Sequence, residues 1–129
     1  MVAVENVSTI YVKLENRPGA IARAAKALAD HRINVDAISL ETVGSGGFAR
    51  IVTPKAREGV EALRSLGIES YESPAILVSL PNRPGELSRA AHDIAAGGLN
   101  VEGMITTQDG RLVLRTSDND RAAQILKKL

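Results

Sequence analysis

The tetrapeptide Asn-Arg-Pro-Gly occurs twice in the chain, as Asn16-Arg17-Pro18-Gly19 and as Asn82-Arg83-Pro84-Gly85, an offset of 66 residues (82 − 16). Its residue types suit the capture of a small zwitterion. Proline has no N–H and a pre-set φ, which fits the first position of a helix. It also pushes the arginine before it towards an extended conformation, so the chain corners sharply from strand to helix. Glycine then leaves the first helical N–H groups bare at the positive end of the helix dipole, where an anion is favoured. The asparagine in front offers both a donor and an acceptor. A ligand carrying a carboxylate and an ammonium group matches this set. One such tetrapeptide alone is more often a plain turn into a helix. The second copy, followed by the same residues at the same distance, tips the reading towards binding.

The elements around the corners repeat as well. Arg23-Ala24-Ala25 recurs as Arg89-Ala90-Ala91, and Ile33-Asn34-Val35 recurs as Leu99-Asn100-Val101, so the chain is a tandem duplication. Residues 8–14 favour a strand that stops at the first corner. Ile21, Ala24, Ala25 and Leu28 follow at helical spacing and predict an inward face. A strand over 34–42, a hairpin at Gly44 to Gly47 and a strand over 48–53 come next. Lys55 to Leu66 reads as a helix with Val60, Leu63 and Leu66 inward, stopped by Gly67, and a short strand at 68–71 completes a βαββαβ order. The second copy gives a strand at 75–80, then a helix at 84–96 with Leu87, Ala90, Ala91 and Ile94 inward. Strands at 100–107 and 111–116 follow around Gln108-Asp109-Gly110, and a last helix is capped by Ser117 or Asp118. This copy ends without its fourth strand. An open sheet edge invites aggregation, so residues 2–7, or an edge from another chain, are expected to cover it.

Composition narrows the function. Residues 1–73 and 74–129 are expected to form two domains, each near the lower size limit for folding alone, and hence to pack together. Their charges balance, nine basic against nine acidic in the first stretch and seven against six in the second. No basic field points to nucleic acid or a membrane surface. With no cysteine there is neither a disulfide nor a thiolate site. No signal peptide or transmembrane-length segment is read, so a cytoplasmic location is expected. His31 and His92 do not align between the copies and suit helix ends better than metal or catalysis. The serines make no Ser/His/Asp grouping, and Asp109, Asp118 and Asp120 read as turn and cap residues. Neither an enzyme nor a metal or cofactor site is expected.

On these residues both halves resemble the ACT domain, a βαββαβ regulatory module that binds amino acids and controls metabolic enzymes. The signature is the strand, the Asn-Arg-Pro-Gly corner, the apolar helix and then Ile33-Asn34-Val35 or Leu99-Asn100-Val101. The resemblance implies an α+β fold of two ferredoxin-like units in tandem, antiparallel sheets with helices on one face, the second unit lacking its last strand. The first copy is similar to the serine-sensing ACT domain of phosphoglycerate dehydrogenase. That similarity places the effector on Asn16 and Asn34, and by repetition on Asn82 and Asn100. Leu14 and Leu80 stand where that domain has an effector-contacting histidine, which favours a more apolar ligand than serine.

Because ACT units commonly pair corner to strand, two sites are expected. One joins Asn16, Arg17, Pro18, Gly19, Ala20 and Ile21 to Asn100 and Val101. The other joins Asn82, Arg83, Pro84, Gly85, Glu86 and Leu87 to Asn34 and Val35. Glu86 in place of Ala20 makes the second less hospitable to a carboxylate. The implied partners are an amino-acid effector, a regulated metabolic enzyme and a second copy in a homodimer. Two rival readings are a protein-interaction module with a decayed ligand site, and an RNA-recognition module, which shares the element order. The latter stacks bases on several aromatics, whereas this chain has one Phe and two Tyr.

Overall fold

The computed structural model describes residues 2–129. The elements run β1 (Val4–Glu15), α1 (Ala20–Asp30), β2 (Ala37–Val43), β3 (Gly46–Val52), α2 (Ala56–Ser65) and β4 (Ser70–Val78). They continue with α3 (Glu86–Ala96), β5 (Val101–Thr106), β6 (Leu112–Thr116) and α4 (Asn119–Lys127). The chain divides into two compact units, Ser8–Ser73, and Pro74–Leu129 together with Met1–Val7. Each is an α+β unit, an antiparallel sheet with its helices on one face.

In the Ser8–Ser73 unit the strand order is β2-β3-β1-β4. Lys13 N–H donates to the Glu69 carbonyl at 3.0 Å, and Thr9 Oγ1 to that of Ser73 at 3.1 Å, tying β1 to β4. Alternation along β1 turns Ile10, Val12 and Leu14 towards the helices, where they meet Ala24, Ala27 and Leu28 of α1 and Val60 and Leu63 of α2. Ile10, Leu28 and Leu63 are fully buried, each contributing about 1.5–3 kcal/mol by leaving water. Small residues let the layers approach closely: a Cβ on Gly59 would stand 2.5 Å from Ile10 Cδ1. The inward face of α1 falls on Ala27 rather than Ala25, and Leu66 lies past the end of α2, exposed. Gly67, at φ +75°, closes α2 by donating its N–H to the Arg64 carbonyl.

The other unit has the order β5-β6-β4-β1, so the start of β1 takes the place of the fourth strand missing from the second copy. Ser79 N–H donates to the Ala3 carbonyl at 3.0 Å. Val2 is buried, and Val4 packs beside it against Ile76, Val78, Ile94, Leu114 and Leu126. Of the two expected covers for the open edge, the chain's own residues 2–7 supply it. Ala90 and Ile94 form the buried face of α3, while Leu87 and Ala91 face out. Asp118 caps α4, its carboxylate accepting the Arg121 N–H at 3.1 Å.

The strands expected at 68–71 and 75–80 are one strand, β4, which runs through Pro74. Proline inside a strand is tolerated where the ladder is already interrupted. The β4–β6 pairing spans Ile76 to Val78, and beyond it the Asn119 side chain bridges the gap. Its Oδ1 accepts the Thr116 N–H at 2.9 Å and its Nδ2 donates to the Pro74 carbonyl at 3.3 Å. Val2→Asp, which sets a carboxylate in the apolar cluster, is expected to cost about 2 kcal/mol or more in urea denaturation. Asn6→Asp, on an exposed position of the same segment, should stay within about 0.5 kcal/mol.

Candidate functional site

Both corners are built alike. Gly19 has φ 87° and ψ −8°, and Gly85 has φ 90° and ψ −16°. With proline ahead of each, these are the two central residues of a type II turn. The turn is closed by Ala20 N–H to the Arg17 carbonyl and by Glu86 N–H to that of Arg83, each at 3.3 Å. The helices therefore begin at Ala20 and Glu86, two residues after the prolines, and not at Pro18 and Pro84 as expected. Glycine is required for its left-handed backbone, beyond its lack of a side chain. In the first corner, Arg23 N–H to the Gly19 carbonyl at 2.9 Å is the first helical bond, and no side chain caps α1. The N–H groups of Ile21 and Ala22, in the first turn of α1, have no intrahelical partner.

A groove of about 450 Å³ opens at this corner, a volume in the range of small-molecule sites. It is lined by residues 13–15, 17–20, 23 and 67–69, which bring Lys13, Glu15, Arg17, Arg23 and Glu69 to one place. Arg17 Nε is 2.9 Å from Glu15 Oε2, and Arg23 donates to the Leu66 carbonyl at 2.6 Å. Glu69 accepts the Tyr71 hydroxyl at 2.9 Å, and that bond to a carboxylate raises the Tyr71 pKa. Lys13, Arg23 and Glu69 were not expected as site residues. The recurrence of Arg23 as Arg89 was the available signal. Leu14 is packed in the core and also lines the groove.

The second corner has Glu86 where the first has Ala20. Glu86 is held by Arg83 Nη2 at 3.1 Å and by Arg89 Nη2 at 2.8 Å, and only 15% of its side chain is exposed. Leu87 is 49% exposed.

The asparagines divide. Asn16 Nδ2 donates to the Gly44 carbonyl at 2.9 Å, and its N–H to that of Ser45, so it clamps the β2–β3 turn with one of its two side-chain amide hydrogens. Asn34 lies ahead of β2 rather than in it, donating to Asp36 Oδ1 at 2.6 Å, and Val35 packs on the core beside it. Within the unit they sit at opposite ends of the sheet, Asn16 near the Val43–Gly46 pair and Asn34 near Ala37–Val52. Asn100 likewise lies just ahead of β5, exchanging bonds with Ser117, and Val101 beside it is 41% exposed. The groove thus gathers Arg17, Pro18, Gly19 and Ala20, but not Asn16, Ile21, Asn34 and Val35 of the same unit.

Two features bear on the other readings. His31 Nδ1 lies 2.9 Å from the Ala27 carbonyl at the end of α1. Among the described residues no three His, Cys, Asp or Glu side chains stand together for a metal, and no helix is long and apolar enough to cross a membrane. All three aromatics gather on the first unit's sheet, Tyr11 stacked on Phe48 at 5.5 Å and 6.3 Å from Tyr71. Arg50 lies over Tyr11 and Arg64 over Tyr71, so the ring faces largely serve each other and these guanidinium groups.

Residues 8–65 match the family model of the ACT domain. The fold of the chain is that of a Bacteroides thetaiotaomicron protein, with a TM-score of 0.88 at 23% identity, covering 97% of this chain and 89% of that one. It is also that of the aspartate kinase regulatory subunit from Thermus thermophilus, with a TM-score of 0.72 at 22% identity over 98% and 95% of the two chains. The corresponding subunit from Thermus flavus gives 0.70 at 21% over the same shares. A comparison with curated proteins finds no significant match. The family match thus lies within the first unit, the fold likeness spans both, and neither extends specifically to the serine-sensing type.

No atom lies within 4 Å of a Cβ added at Gly19 or Gly85, so alanine there meets backbone strain alone. Gly19→Ala and Gly85→Ala are expected to cost the same, about 1–2 kcal/mol each by chemical denaturation. Asn16→Ala should cost about 0.5–1.5 kcal/mol through its bond to the Gly44 carbonyl, and Asn82→Ala, without such a bond, clearly less.

Proposed function

We propose that the chain is a non-catalytic regulatory protein that senses an amino acid at the corner of its first ACT unit. The observation that carries this is the groove beside Gly19, where charged side chains gather at the start of α1, whose first N–H groups no side chain caps. The carboxylate of the effector lies at those N–H groups and the start of α1, where the helix dipole favours it. Its ammonium faces Glu69, and Asn16 supports the corner from the β2–β3 turn. Likeness in fold to regulatory subunits of aspartate kinase supports a role in controlling a metabolic enzyme. Asn34, Val35, Asn100 and Val101 form the strand side of the proposal, supplied by a facing unit of a second chain in a homodimer. At the second corner Glu86, held by Arg83 and Arg89, sets a carboxylate of the protein itself, so Asn82, Arg83, Pro84, Gly85 and Leu87 form the weaker site.

Thermal melts against each of the twenty amino acids test this reading. A ligand at a hundredfold excess over Kd stabilises the folded state by about 2.7 kcal/mol. For a chain of this size the midpoint should rise by roughly 2–8 °C for each kcal/mol. No shift with any of the twenty would contradict sensing and favour a module acting through protein contacts alone.

A further inference from the structure

The duplication lets one corner serve as a reference for the other. Arg17, Ala20 and Arg23 of the first copy correspond, 66 residues on, to Arg83, Glu86 and Arg89 of the second. In the second, the two arginines hold the Glu86 carboxylate between them at 3.1 and 2.8 Å, with little of that side chain exposed. The scaffold thus has a place for a carboxylate between these two arginine positions, apart from the helical N–H groups, to which Glu86 makes no hydrogen bond. In the first copy Ala20 brings no carboxylate, and both arginines line the groove. Arg17 is bonded to Glu15 and Arg23 to the Leu66 carbonyl, and each of these contacts engages a single donor nitrogen of a guanidinium that carries five N–H groups.

We infer that the first corner takes an amino acid with an acidic side chain, its second carboxylate held by Arg17 and Arg23 where Glu86 lies in the other copy. The inference rests on the amino-acid-sensing reading of this groove and adds the class of effector. Charge agrees with it. The lining carries three cations, Lys13, Arg17 and Arg23, against two carboxylates, Glu15 and Glu69. A ligand with one net negative charge balances this set, and a neutral zwitterion does not. Paired guanidinium groups also distinguish a carboxylate from its amide, which offers one acceptor and two mismatched donors.

Isothermal titration of the full chain with L-aspartate, L-glutamate, L-asparagine and L-glutamine tests it. One of the two acids should bind at least about tenfold more tightly than its own amide, the discrimination expected of charge-assisted hydrogen bonds. Arg23→Gln, which retains a donor for the Leu66 carbonyl, should bring the acid down to the affinity of the amide and leave the amide unchanged. Ala20→Glu should copy the second corner and abolish acid binding with no loss in the melting midpoint. An amide, or another neutral amino acid, that binds as tightly as the acids would overturn the inference and leave amino-acid sensing intact. Undiminished acid binding in Ala20→Glu would overturn it equally. If none of the twenty amino acids binds, both the inference and the reading beneath it fail.

Discussion

Each corner has to turn from strand to helix through a residue with φ close to +90°, and glycine is the residue that takes this backbone without strain. Much else in the site follows from that one requirement. The turn consumes the N–H of the first helical residue and fixes proline outside the helix. The next two N–H groups have no intrahelical partner. The turn also sets Arg17 and Arg23 on either side of Ala20, as it sets Arg83 and Arg89 around Glu86. A Cβ at the glycine would meet no atom within 4 Å. The constraint is conformational, and the chemistry is a consequence of the path it imposes.

Two corners with the same backbone have been given different contents. At the second, an acidic side chain and two arginines satisfy one another, which makes that end of the helix electrostatically complete without any outside group. At the first, the arginines turn to Glu15 and to a main-chain carbonyl, and the groove between them and Glu69 holds charges of both signs. Ala20 in one copy and Glu86 in the other stand at the first helical position. The second unit's sheet is completed by the beginning of the chain, so its stability depends on residues far away in sequence.

The repeat, the element order and the segment that covers the open edge are legible in the sequence because each leaves a trace in residue type or spacing. The corner is legible as a feature but not in detail. Pro18 suits a helix start, yet Pro-Gly is as much the signature of a type II turn, and the two differ by two residues. Pro74 masks the continuity of β4, since proline ordinarily argues against an internal strand and the bridging Asn119 lies 45 residues further on. The groove residues are hidden for another reason. Lys13, Arg23 and Glu69 come from a strand, a helix face and a turn, and no local pattern joins them. The helical wheel sets Arg23 on the outer face of α1, which is correct, but the outer face is where the groove lies. A count of aromatics, likewise, cannot say that all three gather on one sheet.

The central claim is that the amino end of α1, and not that of α3, receives the effector. Amide NMR of the full chain, with the best-shifting amino acid from the melts added to saturation, addresses it residue by residue. The resonances of Ile21 and Ala22 are expected to move most, together with groove residues 13–15 and 67–69, while Leu87 and Ser88 stay in place. Equal movement at Leu87 and Ser88, or movement that spares Ile21 and Ala22, would contradict it.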